Sequence, residues 1–394
     1  MAYRRYMVVF SLLIGLALTS IAAFNVLCDP YGAYPSLHLD RLAAHTHEVG
    51  TRTARAELLR HGPWDFIILG SSRPQMGYAP DHPSLQGMKA CNAAIPGTNL
   101  RELQPVVEYA LRVSHPQRIL LGIDFLLFTA GRDFNQDFAQ SRFSPERDLI
   151  SYHLDNTISL RASAASYEAL VSFLRKQPTR FTPLGQTVRH TSKLAGGHRQ
   201  LFEAKLYEFF TNPESYANFQ YTKDRLERFR AIVRSVQDAG VQLDVVINPI
   251  HATQFEAIVA AGLWPTFEQW LRDVTRIVEA ERTGAGDRAH VRLVSFLCYE
   301  PYCDEPIPAK GDTTSVMQYW WESSHFKDTL GGLVLTELYG SLPEGRSRFG
   351  TELSPANIDT YIAGLDAARD RWERANPDEV AFVHSIARRA GLID

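Results

Sequence analysis

The chain has 394 residues, 45% of them hydrophobic and 22% charged, with a formal net charge of −3 at pH 7. That composition is globular, and the length holds one large domain or two small ones. A nearly neutral chain without a long basic run carries no electrostatic footprint for nucleic acid. The first predicted element is apolar: no charge occurs from Tyr6 to Leu27, enough for a helix to cross a ~30 Å hydrocarbon core. Arg4 and Arg5 precede it and Asp29 follows, which predicts a cytoplasmic N-terminus and an extracytoplasmic bulk. The rival reading is a cleaved signal peptide, with a small-x-small site near Thr19–Ala23; the apolar run exceeds the usual h-region. Cys28 lacks the small residues that precede a lipidated cysteine.

After a turn at Asp29–Gly32, residues 29–60 read as a membrane-proximal linker, partly helical from Leu42 to Arg60. An alternation of apolar runs and helical patterns follows, as in a parallel sheet with crossover helices. Strands are predicted at Phe66–Leu69, Met88–Asn92, Arg118–Asp124, Gln242–Asn248 and Val291–Leu297. Asn99 caps a helix running to Val113, with Leu103, Val106, Val107, Ala110 and Leu111 at 3- and 4-residue spacing. Further helices are predicted over Lys223–Ala239, over Thr253–Arg282 with a break at Gly262, and after His325. The insertion 125–220 exceeds what a crossover needs and shows no strand alternation, so it reads as a mainly helical cap. Its many arginines and aromatics suit either a sugar or anionic glycan, or a small core with solvated cations. Ser354 and Pro355 open a C-terminal helix with Ile358, Tyr361, Ile362, Leu365 and Trp372 on one stripe. The division is therefore 1–28 anchor, 29–60 linker, 61–345 α/β domain with the insertion, and 346–394 helical segment. Cys298 and Cys303 suit a local disulfide in an oxidising compartment, or two free thiols. With no second close pair of cysteine or histidine ligands, a zinc site is not expected.

Two segments carry candidate chemistry. Gly70-Ser71-Ser72-Arg73 ends the first strand, where open α/β sheets hold their ligands. Glu322-Ser323-Ser324-His325 lies some 250 residues later. A serine, a histidine and an acid are the parts of a nucleophilic triad, in which the acid orients the imidazole that takes the serine proton. Alone, each segment also reads as an ordinary turn. Together they resemble the SGNH (GDSL-like) hydrolase and acyltransferase superfamily. Its nucleophile lies in a Gly-Asp-Ser block after the first strand, and its histidine in an Asp-x-x-His block near the C-terminus. Ser72 matches the nucleophile, with Ser71 in place of the aspartate, and Glu322 and His325 match the acid and base. The Gly-Ser-Ser variant looks like the branch of membrane-anchored proteins that modify cell-envelope polymers, such as the teichoic-acid D-alanine transfer proteins.

The resemblance covers roughly residues 60–130 and 240–340. It implies a flavodoxin-like three-layer parallel sheet and no cofactor. It also implies a serine acyltransferase or esterase acting on O-acyl groups of an envelope polysaccharide. The implied partners are that glycan or an acyl-carrying substrate, the membrane, and a membrane O-acyltransferase. The alternative is a non-catalytic glycan-binding or scaffolding component. For the oxyanion hole, the backbone N–H of Ser72 and Gly97 in the second block are the matching donors. The third block departs from Gly-x-Asn-Asp: Gly122-Ile123-Asp124-Phe125 offers a carboxylate, which accepts hydrogen bonds when ionised. Another donor substitutes, Asp124 is protonated, or the hole has one member fewer. Asn248, ending the fourth strand, is the expected substitute. Arg73, Asp124 and His251 stand at the substrate-binding edge. Arg73 also suits a structural pair with Asp124 or Glu322, and His251 an alternative base or a stiffened turn.

Overall fold

The computed structural model describes residues 2–43, 51–189, 196–286, 290–342, 344 and 348–393. In chain order it runs α1 (Ala2–Cys28), α2 (Asp40–Ala43), α3 (Thr51–His61), β1 (Phe66–Gly70), α4 (Ser72–Gly77), β2 (Ala90–Asn92), α5 (Leu100–Ser114) and β3 (Arg118–Ile123). The inserted region holds α6 (Leu149–Thr157), α7 (Leu160–Leu174) and α8 (Gly197–Thr211). Then come α9 (Lys223–Asp238), β4 (Gln242–Ile247), α10 (Ala252–Ala260), α11 (Trp264–Ala285) and β5 (Val291–Ser295). The chain closes with α12 (Asp328–Tyr339), β6 (Thr351–Glu352), α13 (Ile358–Ala375) and α14 (Pro377–Arg389).

The chain divides into two compact units: 1–62 with 135–188, and 63–134 with 189–394. This departs from the expected division. The span 29–60 is not a bare linker, because α3 buries Arg52, Arg55 and Glu57. Glu57 receives Tyr152 and Arg142 from the insertion, within the same unit. The insertion is thus shared: 135–188 folds with the N-terminal region, and the remainder folds with the sheet. Residues 44–50 of the expected partly helical stretch lie outside the described residues. In the N-terminal unit, Tyr3–Cys28 is a helix long and apolar enough to cross a membrane. Its last turn is anchored by Asn25, whose amide donates to the Thr157 carbonyl (2.7 Å) and the Ser163 hydroxyl (3.0 Å).

The second unit is α/β, with one six-stranded sheet in the order β2-β1-β3-β4-β5-β6. All pairs are parallel except β5–β6. β1 is a continuous apolar run, buried throughout because both faces of the sheet are covered; β4 and β5 each carry one charged residue, Asp244 and Arg292, which pair with each other. Phe66, Ile68, Leu120, Val246 and Val294 belong to a core that also takes in Trp320 and Phe326. Asn99 caps α5 as expected, accepting from the N–H groups of Arg101 (2.8 Å) and Glu102 (3.3 Å). Gly262, at φ +67°, separates α10 from α11. Ser354 does not cap a helix: residues 355–357 form a turn, and α13 starts at Ile358. The Asn357 side chain accepts the Ser354 N–H at 2.9 Å, so a local side-chain bond displaces the expected cap. Cys298 and Cys303 are disulfide-bonded.

β2 and β3 flank β1 on opposite sides, so the chain leaves the C-terminal end of β1 at the point where strand order reverses. Register places the third-block and fourth-strand residues beside it. Gly70 pairs with Gly122 and Ile123 with Ile247, so Asp124 and Asn248 each lie one residue beyond paired strand ends. Gly70 has φ +132°, and a Cβ there would collide with the Gly122 carbonyl oxygen. Only glycine allows β1 to turn this close to β3 before the serines begin.

Candidate active site

Ser72 opens α4 immediately after β1. Ser71 precedes it in extended conformation, and its hydroxyl accepts the Arg73 N–H. Across the edge, Trp320 and Phe326 form an isolated antiparallel bridge that pinches the loop 321–325. The Trp321 N–H donates to the His325 carbonyl (3.0 Å), and the Lys327 N–H to the Tyr319 carbonyl (2.7 Å). The buried Trp320 indole fixes this loop by donating to the Tyr302 carbonyl at 2.8 Å.

These elements bring three of the sequence-predicted residues together. His325 Nε2 lies 2.7 Å from Ser72 Oγ, and His325 Nδ1 is bonded to Glu322 Oε1. The Glu322 carboxylate also accepts the N–H groups of Ser324 (2.9 Å) and His325 (3.1 Å). Burial alone would raise its pKa, but His325, Lys205 and the Ser324 N–H hold it down to about 2. An ionised carboxylate accepts and cannot donate, so Nδ1 carries the proton and Nε2 receives the serine hydroxyl. Burial lowers the His325 pKa from the ordinary 6.5, Glu322 opposes this, and Lys205 and Arg189 reinforce it. A neutral imidazole aimed at a hydroxyl is the arrangement a general base requires. Ser72 is half-buried, whereas Ser71 beside it is buried.

Arg73, Asp124 and Asn248 form a second cluster with Ser71. Asp124 is ion-paired with Arg73 and accepts the Ser71 hydroxyl. Arg73 Nε donates to the Ser324 carbonyl (3.0 Å) and hydroxyl (3.2 Å), joining the nucleophile block to the histidine block. Arg73 and Asp124 are buried and spend their charge on each other, which is the structural pair the Arg73 reading held open and leaves neither in substrate binding. The Asn248 amide donates to the Ile123 carbonyl and to Asp124 Oδ1, both at 3.3 Å, and Asn248 Oδ1 accepts the Tyr78 hydroxyl at 2.9 Å. A primary amide has two donor hydrogens, and these two contacts use both. Asn248 therefore orients Asp124 and is not a free oxyanion donor, contrary to expectation. The Ile95 N–H donates to the Gly70 carbonyl at 2.9 Å, which sets the Pro96-Gly97 turn beside the end of β1. Gly97 is exposed there at φ +66°.

His251 is also corrected. It is buried and caps α10: Nδ1 accepts the Thr253 N–H at 3.2 Å, so Nε2 donates to the Glu305 carbonyl at 2.8 Å. Burial lowers its pKa to about 4. Its backbone N–H donates to the Ser323 carbonyl at 3.1 Å, so it supports the triad loop from behind.

Two supporting residues escaped the sequence reading. Asn92, at the end of β2, donates its amide to the Pro74 and Tyr78 carbonyls, both at 2.8 Å, and so holds α4 in place. An asparagine terminating an apolar strand was the available signal. His198, at the start of α8, accepts the Met317 N–H at Nε2 (3.1 Å) and donates from Nδ1 to the Trp321 carbonyl (3.2 Å). Nothing local in the sequence marks that role, which arises from a contact across more than a hundred residues. Among the described residues, no group of three or more His, Cys, Asp or Glu side chains is arranged to hold a metal ion. No family model and no curated protein matches the chain.

Proposed function

We propose that this protein is a membrane-anchored, extracytoplasmic SGNH-type serine acyltransferase or esterase acting on O-acyl groups of a cell-envelope polysaccharide. The observation that carries the reading is the continuous line Ser72–His325–Glu322, with the half-buried Ser72 at its end. In the proposed reaction, His325 Nε2 takes the Ser72 proton as Oγ attacks the acyl carbonyl. Glu322 stabilises the resulting imidazolium, which then protonates the leaving alkoxide. Water or a second hydroxyl, deprotonated by the same imidazole, releases the acyl group, so hydrolysis and transfer differ only in the acceptor. The Ser72 backbone N–H and the Gly97 turn are the proposed oxyanion donors.

The strand order 2-1-3-4-5 is that of flavodoxin-like sheets, which supports the fold side of the reading. The Cys298–Cys303 disulfide favours an oxidising compartment outside the cytoplasm. The apolar α1 behind Arg4 and Arg5 favours a cytoplasmic N-terminus and a single span. The proposed partners are the glycan and a membrane O-acyltransferase that delivers the acyl group.

One observation favours the second reading, a non-catalytic glycan-binding or scaffolding component. Asp124 and Asn248 are spent on the interior, so the hole has no side-chain donor from either. A fluorophosphonate probe separates the two. Covalent labelling of the full chain that Ser72→Ala abolishes supports the enzyme; a folded wild-type chain that never labels supports the binding component.

A further inference from the structure

The N-terminal unit leaves a large apolar surface open to solvent. Ile150, Leu154 and Ile158 follow 4-residue spacing on one face of α6 and the turn beyond it, and all three are exposed, Ile150 by 75%. The opposite face of α6 is already used: Tyr152 and Asn156 are buried. Leu160, at the start of α7, is 90% exposed, and Tyr167 and Leu174 continue its line at 7-residue spacing. Single exposed leucines are ordinary in soluble proteins, but two adjoining apolar helix faces that meet at one corner are not.

The depth of that corner is fixed by α1. Asn25 stands in the last turn of the apolar helix and is bonded to Thr157 and Ser163, the residues that bracket the α6–α7 turn. If α1 crosses a bilayer, Asn25 lies at the edge of the hydrocarbon, and the corner lies at the same level. We propose that the α6–α7 corner rests on the membrane, with Ile150, Leu154, Ile158 and Leu160 in the interfacial layer of the bilayer that α1 crosses. This rests on reading α1 as a membrane span. An apolar helix face held in the interface plane buries its side chains at the boundary of headgroups and acyl chains. The occupant is lipid because the exposed residues flank the point where the last turn of the apolar α1 is bonded, at Thr157 and Ser163, which puts them at the level where that helix leaves the bilayer. A foot of this kind would also fix the tilt of the N-terminal unit against the bilayer, which a single span leaves free.

The test uses the full chain reconstituted in phosphatidylethanolamine–phosphatidylglycerol vesicles, with bimane attached at Leu160→Cys and, separately, at Leu154→Cys. The native free cysteines Cys28 and Cys91 are buried, and the unsubstituted chain gives the background. Each label is challenged with lipid carrying a nitroxide near the headgroup and with iodide in the water. The expected result at both positions is quenching by the nitroxide lipid at least twofold stronger than by iodide. Quenching mainly by iodide would overturn the proposal, because the corner then faces water. Protection from both quenchers would also overturn it, because protein then covers the corner, as in a second copy of the chain. Alkaline carbonate extraction of the unlabelled chain tests the span independently. A chain that resists extraction but whose labels face water sinks the foot and leaves the anchor standing.

Discussion

The triad line and the Asp124 cluster leave the same sheet edge from adjacent residues, and they differ in what they leave unfinished. Ser71 is buried and its hydroxyl donates to Asp124, whose carboxylate also receives Arg73 and Asn248. Every strong group in that cluster is answered by another, as a buried charge requires. Ser72 is half-buried, and its hydroxyl faces a base whose own proton is held by a carboxylate. One cluster is closed and holds strand ends together; the other ends in the hydroxyl that the proposed reaction uses as its nucleophile. The difference teaches that hydrogen-bond completeness, more than residue type, separates the scaffold from the line to which the proposal assigns chemistry. Two serines, two acids and two histidines each divide this way: Ser71, Asp124 and His251 on the closed side, Ser72, Glu322 and His325 on the open one.

The largest effect expected from breaking the contrast is at the two serines. Ser72→Ala should lower turnover of an activated ester on the order of 10⁶-fold, the scale of removing a triad nucleophile. Ser71→Ala removes one of several donors to Asp124 and should stay within about tenfold, since a single hydrogen bond contributes ~1 kcal/mol. Reversed magnitudes would move the nucleophile to Ser71. Next, Glu322→Gln should cost on the order of 10⁴-fold in turnover, because an amide does not hold the imidazole in the working tautomer or stabilise its cation. Rate measurements on the same ester decide it, with an unchanged circular dichroism spectrum as the control. A loss below tenfold would remove Glu322 from the triad.

Asn248→Ala sharpens the comparison from the closed side. An oxyanion donor would cost about 10²–10³ in turnover with little change in stability. The bonded geometry gives the opposite expectation: turnover within about tenfold, and a loss of ~1–3 kcal/mol in urea denaturation as Asp124 and Tyr78 lose their partner. A large rate loss at full stability would return Asn248 to the oxyanion hole.

The same distinction explains what was legible in the sequence. The parallel strands were readable because their segments are mainly apolar, interrupted only by single polar residues such as Asp244 and Arg292, and the N-cap at Asn99 and the break at Gly262 are local signals. The two-residue antiparallel strand β6 was not readable, being too short to carry a periodicity. Ser72, Glu322 and His325 were legible as two short motifs, and the structure brings them into one hydrogen-bonded line. The roles of Asn248 and His251 were not. Both lie where the sequence put them, but their function depends on which partners are already spent, and that is set by Tyr78, Asp124 and Glu305 from distant segments. The division of the insertion between two units was equally hidden, because the bond from Glu57 to Tyr152 spans 95 residues.

The smallest expected effect, and the one that reads the electrostatics directly, is the dependence on pH. Burial holds the His325 pKa below 6.5, with Glu322 opposing. The base acts only when neutral, so Ser72-dependent labelling by a neutral probe should fall as pH drops, with its midpoint below 6.5. Glu322→Gln removes the group that favours the charged imidazole, so the midpoint should move lower still. Stability carries the same signs. The unfolded chain binds a proton at His325 more readily than the folded one, so stability should decline as pH falls from 6.5 towards the folded value. Glu322, held at about 2 against an ordinary 4.5, contributes stability that is complete above 4.5 and lost between 4.5 and about 2. Urea denaturation across pH should therefore show two separate declines, and Glu322→Gln should erase the more acidic one. A labelling midpoint above 6.5 would mean that the carboxylate outweighs burial, leaving His325 charged near neutrality and unfit to take the serine proton.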